Sequence, residues 1–160
     1  MMQVWKIILT VLFIPLAVLY GAAKIILGKE RAKKLFYRAI VSVSARVLSW
    51  HIPTLEKGQP FSVFSDHFIG AMRKMPFETI RVTIRTDDTF QINVTRCQFV
   101  EVFQLLGMPE LTPALCEGDV VFCDQYQPLI RFQRPHNMAA GDRFCDHTYI
   151  RQQDSGQEPG

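Results

Sequence analysis

The chain has 160 residues, 48% of them hydrophobic and 21% charged, with a formal net charge of +3. That length suits one domain with a real core, and the balance excludes a disordered chain. So small a net charge gives no case for nucleic acid, and the four cysteines form no C-x-x-C pair, which removes the usual zinc-ribbon and thioredoxin patterns.

The first element is an apolar run, Ile7 to Ala23, in which Thr10 is the only clearly polar side chain. A spanning helix needs roughly 20 apolar residues. Extending the run through Lys24, whose ammonium can snorkel, to Leu27 supplies them. Pro15 would kink a soluble helix and is tolerated in a membrane one. Residues 1–27 therefore read as a membrane anchor. Two alternatives stand beside it: a signal peptide, with Gly21 and Ala23 as a small-residue cleavage site, and a buried or amphipathic helix of the domain. Lys24, Lys29, Arg31, Lys33, Lys34 and Arg38 crowd around its end, where they suit lipid headgroups. A single-pass anchor with this basic flank puts the C-terminal domain in the cytoplasm, in keeping with free thiols.

A second helix follows, with Phe36, Ile40, Val43, Val47 and Trp50 on one face that reads as core. Gly28 either separates it from the first helix or bends the two, and Pro53 ends it. A linker runs from His51 to Pro60. The segment Phe61 to Met75 is weakly periodic and helical in part. Within it, His67 beside Asp66 is a candidate general base, although a histidine among Phe64, Phe68 and Ile69 is more often a core or surface residue.

Strict alternation then gives a hairpin. Ile80, Val82 and Ile84 share one face of the first strand, and Phe90, Ile92 and Val94 share one face of the second. From Cys97 the period changes: Phe99 with Phe103, and Val102 with Leu106, lie four apart in a helix closed by Gly107. A short helix is expected over Pro113 to Glu117. Leu129 to Pro135 and Arg143 to Arg151 form a second hairpin around the loop His136 to Asp142. The tail, 152–160, is polar and reads as disordered. The fold class is thus α+β: an antiparallel sheet of two hairpins with helices packed on one face, a single domain over 28–151 behind a hydrophobic helix.

The chemistry centres on Cys97. It lies at a helix N-terminus, where the dipole favours a thiolate, and Glu101 follows four residues later on the same face. A carboxylate there could take the thiol proton or return one to a leaving group. The competing reading is a buried structural cysteine. Cys116, Asp119, Cys145 and His147 are metal-ligand types, but their spacings fit no standard motif. Cys145 and Asp146 are adjacent in a strand, so only one of them can face a given site.

These blocks together carry a resemblance. Arg96-Cys97 with Glu101, then Leu106-Gly107 with Pro109-Glu110-Leu111, then Cys116 with Asp119, then Phe132 and Arg134, and finally Gly141-Asp142 with Cys145-Asp146, occur in this order over Asn93 to Tyr149. The set resembles the L-2-amino-thiazoline-4-carboxylic acid hydrolase family. Two positions depart from the pattern: His147 stands where a phenylalanine is expected, and the lead-in to Gly141 reads His-Asn-Met-Ala-Ala. The resemblance implies a hydrolase that opens a cyclic, amidine-like C–N bond, with Cys97 as nucleophile and Glu101 as acid-base. Arg96 or Arg134 would anchor a substrate carboxylate, Asp119 and Asp142 would orient it, and Cys116, Cys145 and Asp146 would complete the substrate site. No cofactor or metal is implied; the expected partners are a small-molecule substrate and a membrane. The Gly-Asp-x-x-Cys ending is also similar to vinyl-reductase-type domains, which suggests the alternative of a membrane-anchored, non-catalytic ligand-binding module.

Overall fold

The computed structural model describes residues 2–74 and 77–152. Five helices and four strands follow in the order α1 (Met2–Leu27), α2 (Lys29–His51), α3 (Phe61–Lys74), β1 (Glu78–Arg85), β2 (Thr89–Cys97), α4 (Gln98–Leu105), α5 (Thr112–Tyr126), β3 (Ile130–Gln133) and β4 (Cys145–Arg151). The fold is α+β, as expected. All but the first residue of the tail expected over 152–160 lies outside the described residues.

The strands form one antiparallel sheet in the order β1-β2-β4-β3, so the second hairpin adds its last strand, not its first, to β2. Phe90 and Ile92 of β2 and Tyr149 of β4 point to the helices and are fully buried. Phe64 and Phe68 of α3 pack on them, with ring centroids 5.0 to 6.4 Å apart. The alternation of β1 does not survive to its end. Thr83 is an extra residue that shifts the register, so Ile84 lies opposite Gln91 and Arg85 opposite Phe90. Arg85 then reaches Asp66 of α3 at 2.6 Å. That pairing takes Asp66 away from His67, which is exposed, so the two do not form the candidate acid-base pair.

The helix expected over Pro113 to Glu117 runs on to Tyr126. Gly118 is not a terminator. It is where α5 crosses α2: a Cβ there would lie 1.8 Å from Ser44 Oγ. Past α5, the buried Gln127 side chain ties down the linker, accepting from Leu55 N–H at 2.9 Å and donating to the Pro53 carbonyl at 3.0 Å.

α1 carries Pro15 without interruption and turns into α2 at Gly28, whose φ of 82° suits only glycine. One face of α1 is docked along its length. Trp5 meets Phe77 edge-on at 5.8 Å, Lys6 pairs with Glu101 at 2.8 Å, Phe13 packs on Phe99 and Phe103, and Tyr20 donates its hydroxyl to Glu110 at 2.8 Å. Leu9 and Tyr20 are buried, the latter in a second core with Ile40, Phe103, Met108 and Leu111. The opposite face exposes Ile7, Val11, Val18, Leu19, Ile25 and Ile26. By length and composition, Val4–Leu27 could cross a membrane. The α2 seam is split as well: Ile40 is buried, whereas Val43 and Trp50 are exposed.

Candidate functional site

A cavity of about 730 Å³ lies between α1, α2 and the helix side of the sheet. Its outer wall is aliphatic and aromatic: Leu9, Leu12, Phe13 and Leu16 from α1, and Leu35, Ile40, Val43 and Val47 from α2. Its floor is polar. Glu78, Cys97, Thr112, Cys116, Asp119, Cys145 and His147 all line it, brought there by β1, the end of β2, α5 and β4.

Strand register explains the floor. Glu78 sits directly across from Cys97, and the Cys97 thiol donates to Glu78 Oε1 at 3.7 Å, a long sulfur hydrogen bond. On β4, Cys145 and His147 are two residues apart and face the cavity together, while Asp146 faces away. From α5, Cys116 and Asp119 reach the cavity one helical turn apart. Arg134, just past β3, stands behind them and donates to Asp119 Oδ2 at 3.0 Å and to the Cys116 carbonyl at 2.9 Å.

Burial controls the protonation of this floor. Desolvation raises the Glu78 carboxyl, against the Cys97 hydrogen bond and Arg134, which lower it. Asp119 rises to about 7, first by desolvation and then by the nearby Glu78, despite Arg134. Cys97 is pushed well above an ordinary thiol by burial and by Glu78, and Cys116 reaches about 12 by burial and Asp119. Cys145 is raised by burial too, with Met138 N–H bonded to its sulfur at 3.2 Å. His147 falls to about 3 through burial and Arg134, so the ring is neutral at ordinary pH. It packs edge-on against Phe132, the role an apolar ring would fill.

The site residues that the sequence and its family resemblance put forward therefore divide. Cys97, Cys116, Asp119 and Cys145 converge on the cavity, with Arg134 in contact behind it. Glu101 does not join them. It turns outward and binds Arg96 through two hydrogen bonds of 2.5 and 3.1 Å and Lys6 at 2.8 Å, which hold its carboxyl down at about 2. The four-residue spacing is real, but the cations of Arg96 and Lys6 outcompete a neutral buried thiol for the carboxylate. Arg96 is thereby an exposed surface residue and not a group lining the cavity. Asp142 accepts from Asn137 N–H at 2.7 Å, and Asp146 from His136 N–H at 2.6 Å and its ring at 2.9 Å, so both hold the β3–β4 loop.

Two floor residues escaped the sequence reading. Glu78 lies in phase with Ile80 and Val82, a carboxylate on the apolar face of an alternating strand, and that was a legible signal. Thr112 had none: its Oγ1 is buried and has no hydrogen-bond partner among the described residues. No group of three or more His, Cys, Asp and Glu side chains among the described residues is arranged to hold a metal.

Among solved structures, the chain is similar to the phenol-responsive sensory domain of the transcription activator PoxR, solved with phenol. The identity is 13%, the match covers 86% of this chain and 73% of that one, and the TM-score is 0.51. It is also similar, at 12% identity and a TM-score of 0.39, to a trafficking protein particle complex subunit 3 from Naegleria fowleri covalently bound to palmitic acid. That match covers 86% of this chain and 93% of the other. No curated protein matches. The family model for L-2-amino-thiazoline-4-carboxylic acid hydrolase matches residues 7–149, from within α1 to within β4. Nearly the whole chain is covered, and the protein belongs to that family.

Proposed function

We propose that the protein binds a hydrophobic small molecule in the cavity between α1, α2 and the sheet, at a membrane surface to which α1 holds it. The observation that carries this reading is the cavity itself: about 730 Å³, with an aliphatic wall and a short polar floor. Binding sites for small molecules have this make-up, mostly apolar with a few fixed polar groups. The PoxR domain of similar fold, which is described with phenol, supports a ligand-holding role for the architecture.

The membrane contact rests on the two faces of α1. The docked contacts run from Trp5 to Tyr20, about 22 Å of helix at the usual rise. A helix crossing the bilayer would draw the attached Glu101 and Glu110 toward hydrocarbon, which is costly for charged groups. A helix lying in the interface buries its outer face and leaves the domain in water. Exposed Lys29, Arg31, Lys34 and Arg38 on α2 suit anionic headgroups.

The test is displacement of a fluorescent alkyl probe from the full chain. Saturable binding is expected, weakened about tenfold or more, or about 1.4 kcal/mol, by Val47→Phe, whose ring takes up ligand volume in the cavity and so leaves the melting temperature unchanged. Unsaturable binding, or binding indifferent to Val47→Phe, would reject the reading. Flotation with anionic vesicles tests the membrane contact.

A second reading is favoured by one contact, that of Cys97 with Glu78. In it, the protein hydrolyses an amidine-like group as the family name implies. The Cys97 sulfur adds to the amidine carbon as its proton passes to Glu78. Glu78 gives that proton to the amine nitrogen that leaves as the C–N bond breaks. Water then adds its oxygen to the same carbon while one of its protons returns to the departing Cys97 sulfur. Glu78 takes the acid-base part first given to Glu101. Loss of turnover in both Cys97→Ala and Glu78→Gln, with turnover kept in Glu101→Gln, is the expected pattern.

A further inference from the structure

We propose that the ligand is an amphiphile with a single positively charged nitrogen, its apolar chain between α1 and α2 and its head between Glu78 and Asp119. This rests on the ligand-binding reading and specifies what is bound.

With both carboxylates ionised, Glu78 and Asp119 bring two negative charges to the cavity floor. Arg134 offsets one of them through Asp119. His147 contributes none, being neutral. The three thiols contribute none while protonated, and burial keeps them so. In that state one negative charge is left over on the half-buried floor, and a monocation balances it. An anionic head would add to the excess. Burial raises both carboxyls, and Glu78 raises Asp119 further, so a cation between them favours the ionised pair.

Glu78 makes one side-chain hydrogen bond among the described residues, and that is to a thiol at 3.7 Å. Thr112 Oγ1, in a residue only 3% exposed that lines the same cavity, has no hydrogen-bond partner among the described residues. Buried polar atoms are rarely left in this condition. Glu78 and Asp119 can only accept when ionised, and the Thr112 hydroxyl can accept as well as donate. Such a set suits a head that donates several N–H bonds, as an ammonium or amidinium does.

Leu12, Leu35 and Val43 line the cavity and are also 67%, 55% and 61% exposed, so they form its mouth. The mouth shares α1 with the exposed apolar face that includes Ile7, Val11 and Val18. A chain running from mouth to floor stays against carbon for most of its path. A short polar head without a chain would leave that wall uncovered.

The experiment compares chain-matched probes on the full chain: decylamine, decanol and decanoate, each displacing the fluorescent alkyl probe. Decylamine should bind at least about tenfold more tightly than decanol, the ratio corresponding to one charge-assisted hydrogen bond, and decanoate more weakly than either. Glu78→Gln should bring decylamine to within about twofold of decanol while leaving decanol unchanged, a loss confined to the charge term. Decanol or decanoate binding as tightly as decylamine would overturn the proposal and leave the binding reading intact. Binding of none of the three would overturn both. The wild-type comparison stands even if Glu78→Gln fails to fold.

Discussion

Two regions flank Cys97, and they treat a glutamate in opposite ways. On the outer corner, Glu101 sits among Arg96 and Lys6 and is held at about 2. On the cavity floor, Glu78 sits half-buried against a thiol and is raised by desolvation. The corner binds its carboxylate to cations already in the chain. The floor keeps a carboxylate that the chain does not fully neutralise. A charge satisfied within the protein is architecture, whereas a charge left short of partners is available for a ligand.

The largest expected effect tests how the floor tolerates charge. Arg134→Ala should destabilise the fold by about 3–5 kcal/mol, since it strands Asp119 without its buried partner. Chemical denaturation measures it, and a loss below about 1 kcal/mol, the range of surface pairs, would place Arg134 with the corner instead. Gly118→Ala comes next, at about 1–3 kcal/mol, through the clash with Ser44 where α2 crosses α5. The corner has no packing of this kind, so the same method should find nothing comparable for Arg96→Ala beyond its ion pair.

Glu101→Gln should cost about 1 kcal/mol at neutral pH, the upper range for a paired surface carboxylate. Its folded value is depressed, so the stabilisation is complete above the unfolded carboxyl value of about 4.3 and is lost as pH falls from there toward 2. Glu78→Gln should have the opposite sign. Its folded value is raised, so ionisation costs stability as pH rises through the unfolded value toward the folded one. The variant should melt higher than wild type at pH 8 and equal to it at low pH. A variant that melts lower throughout would erase the contrast between the two glutamates. The smallest signal is thiol alkylation: all four cysteines should stay nearly unreactive in the folded chain at neutral pH, since burial raises each of them. Rapid labelling of Cys97 alone would favour the hydrolytic reading.

Local pattern carried much of this architecture. The first hairpin follows from alternation, and α4 follows from four-residue spacing with Gly107 at a φ of 69°. Four cavity-lining groups, Cys97, Cys116, Asp119 and Cys145, follow from the ordered family blocks. What failed were features decided by distant chain. The full length of α5 depends on Ser44 making Gly118 a crossing point and on Arg134 taking Asp119 into the fold. The position of Glu101 depends on Lys6, 95 residues earlier in the chain, arriving on α1. The bulge at Thr83 turns Arg85 toward Asp66 and leaves no mark in the strand's own alternation.

The docking of α1 has a practical side. Its Leu9, Leu12, Phe13 and Leu16 are one wall of the cavity. Trimming the protein at Gly28 to make it easier to purify would therefore remove more than a greasy handle. It would unroof the site, bare Phe99 and Phe103, and release Glu101 and Glu110 from Lys6 and Tyr20. A shortened protein that failed every ligand assay would report the missing wall, not the wrong ligand.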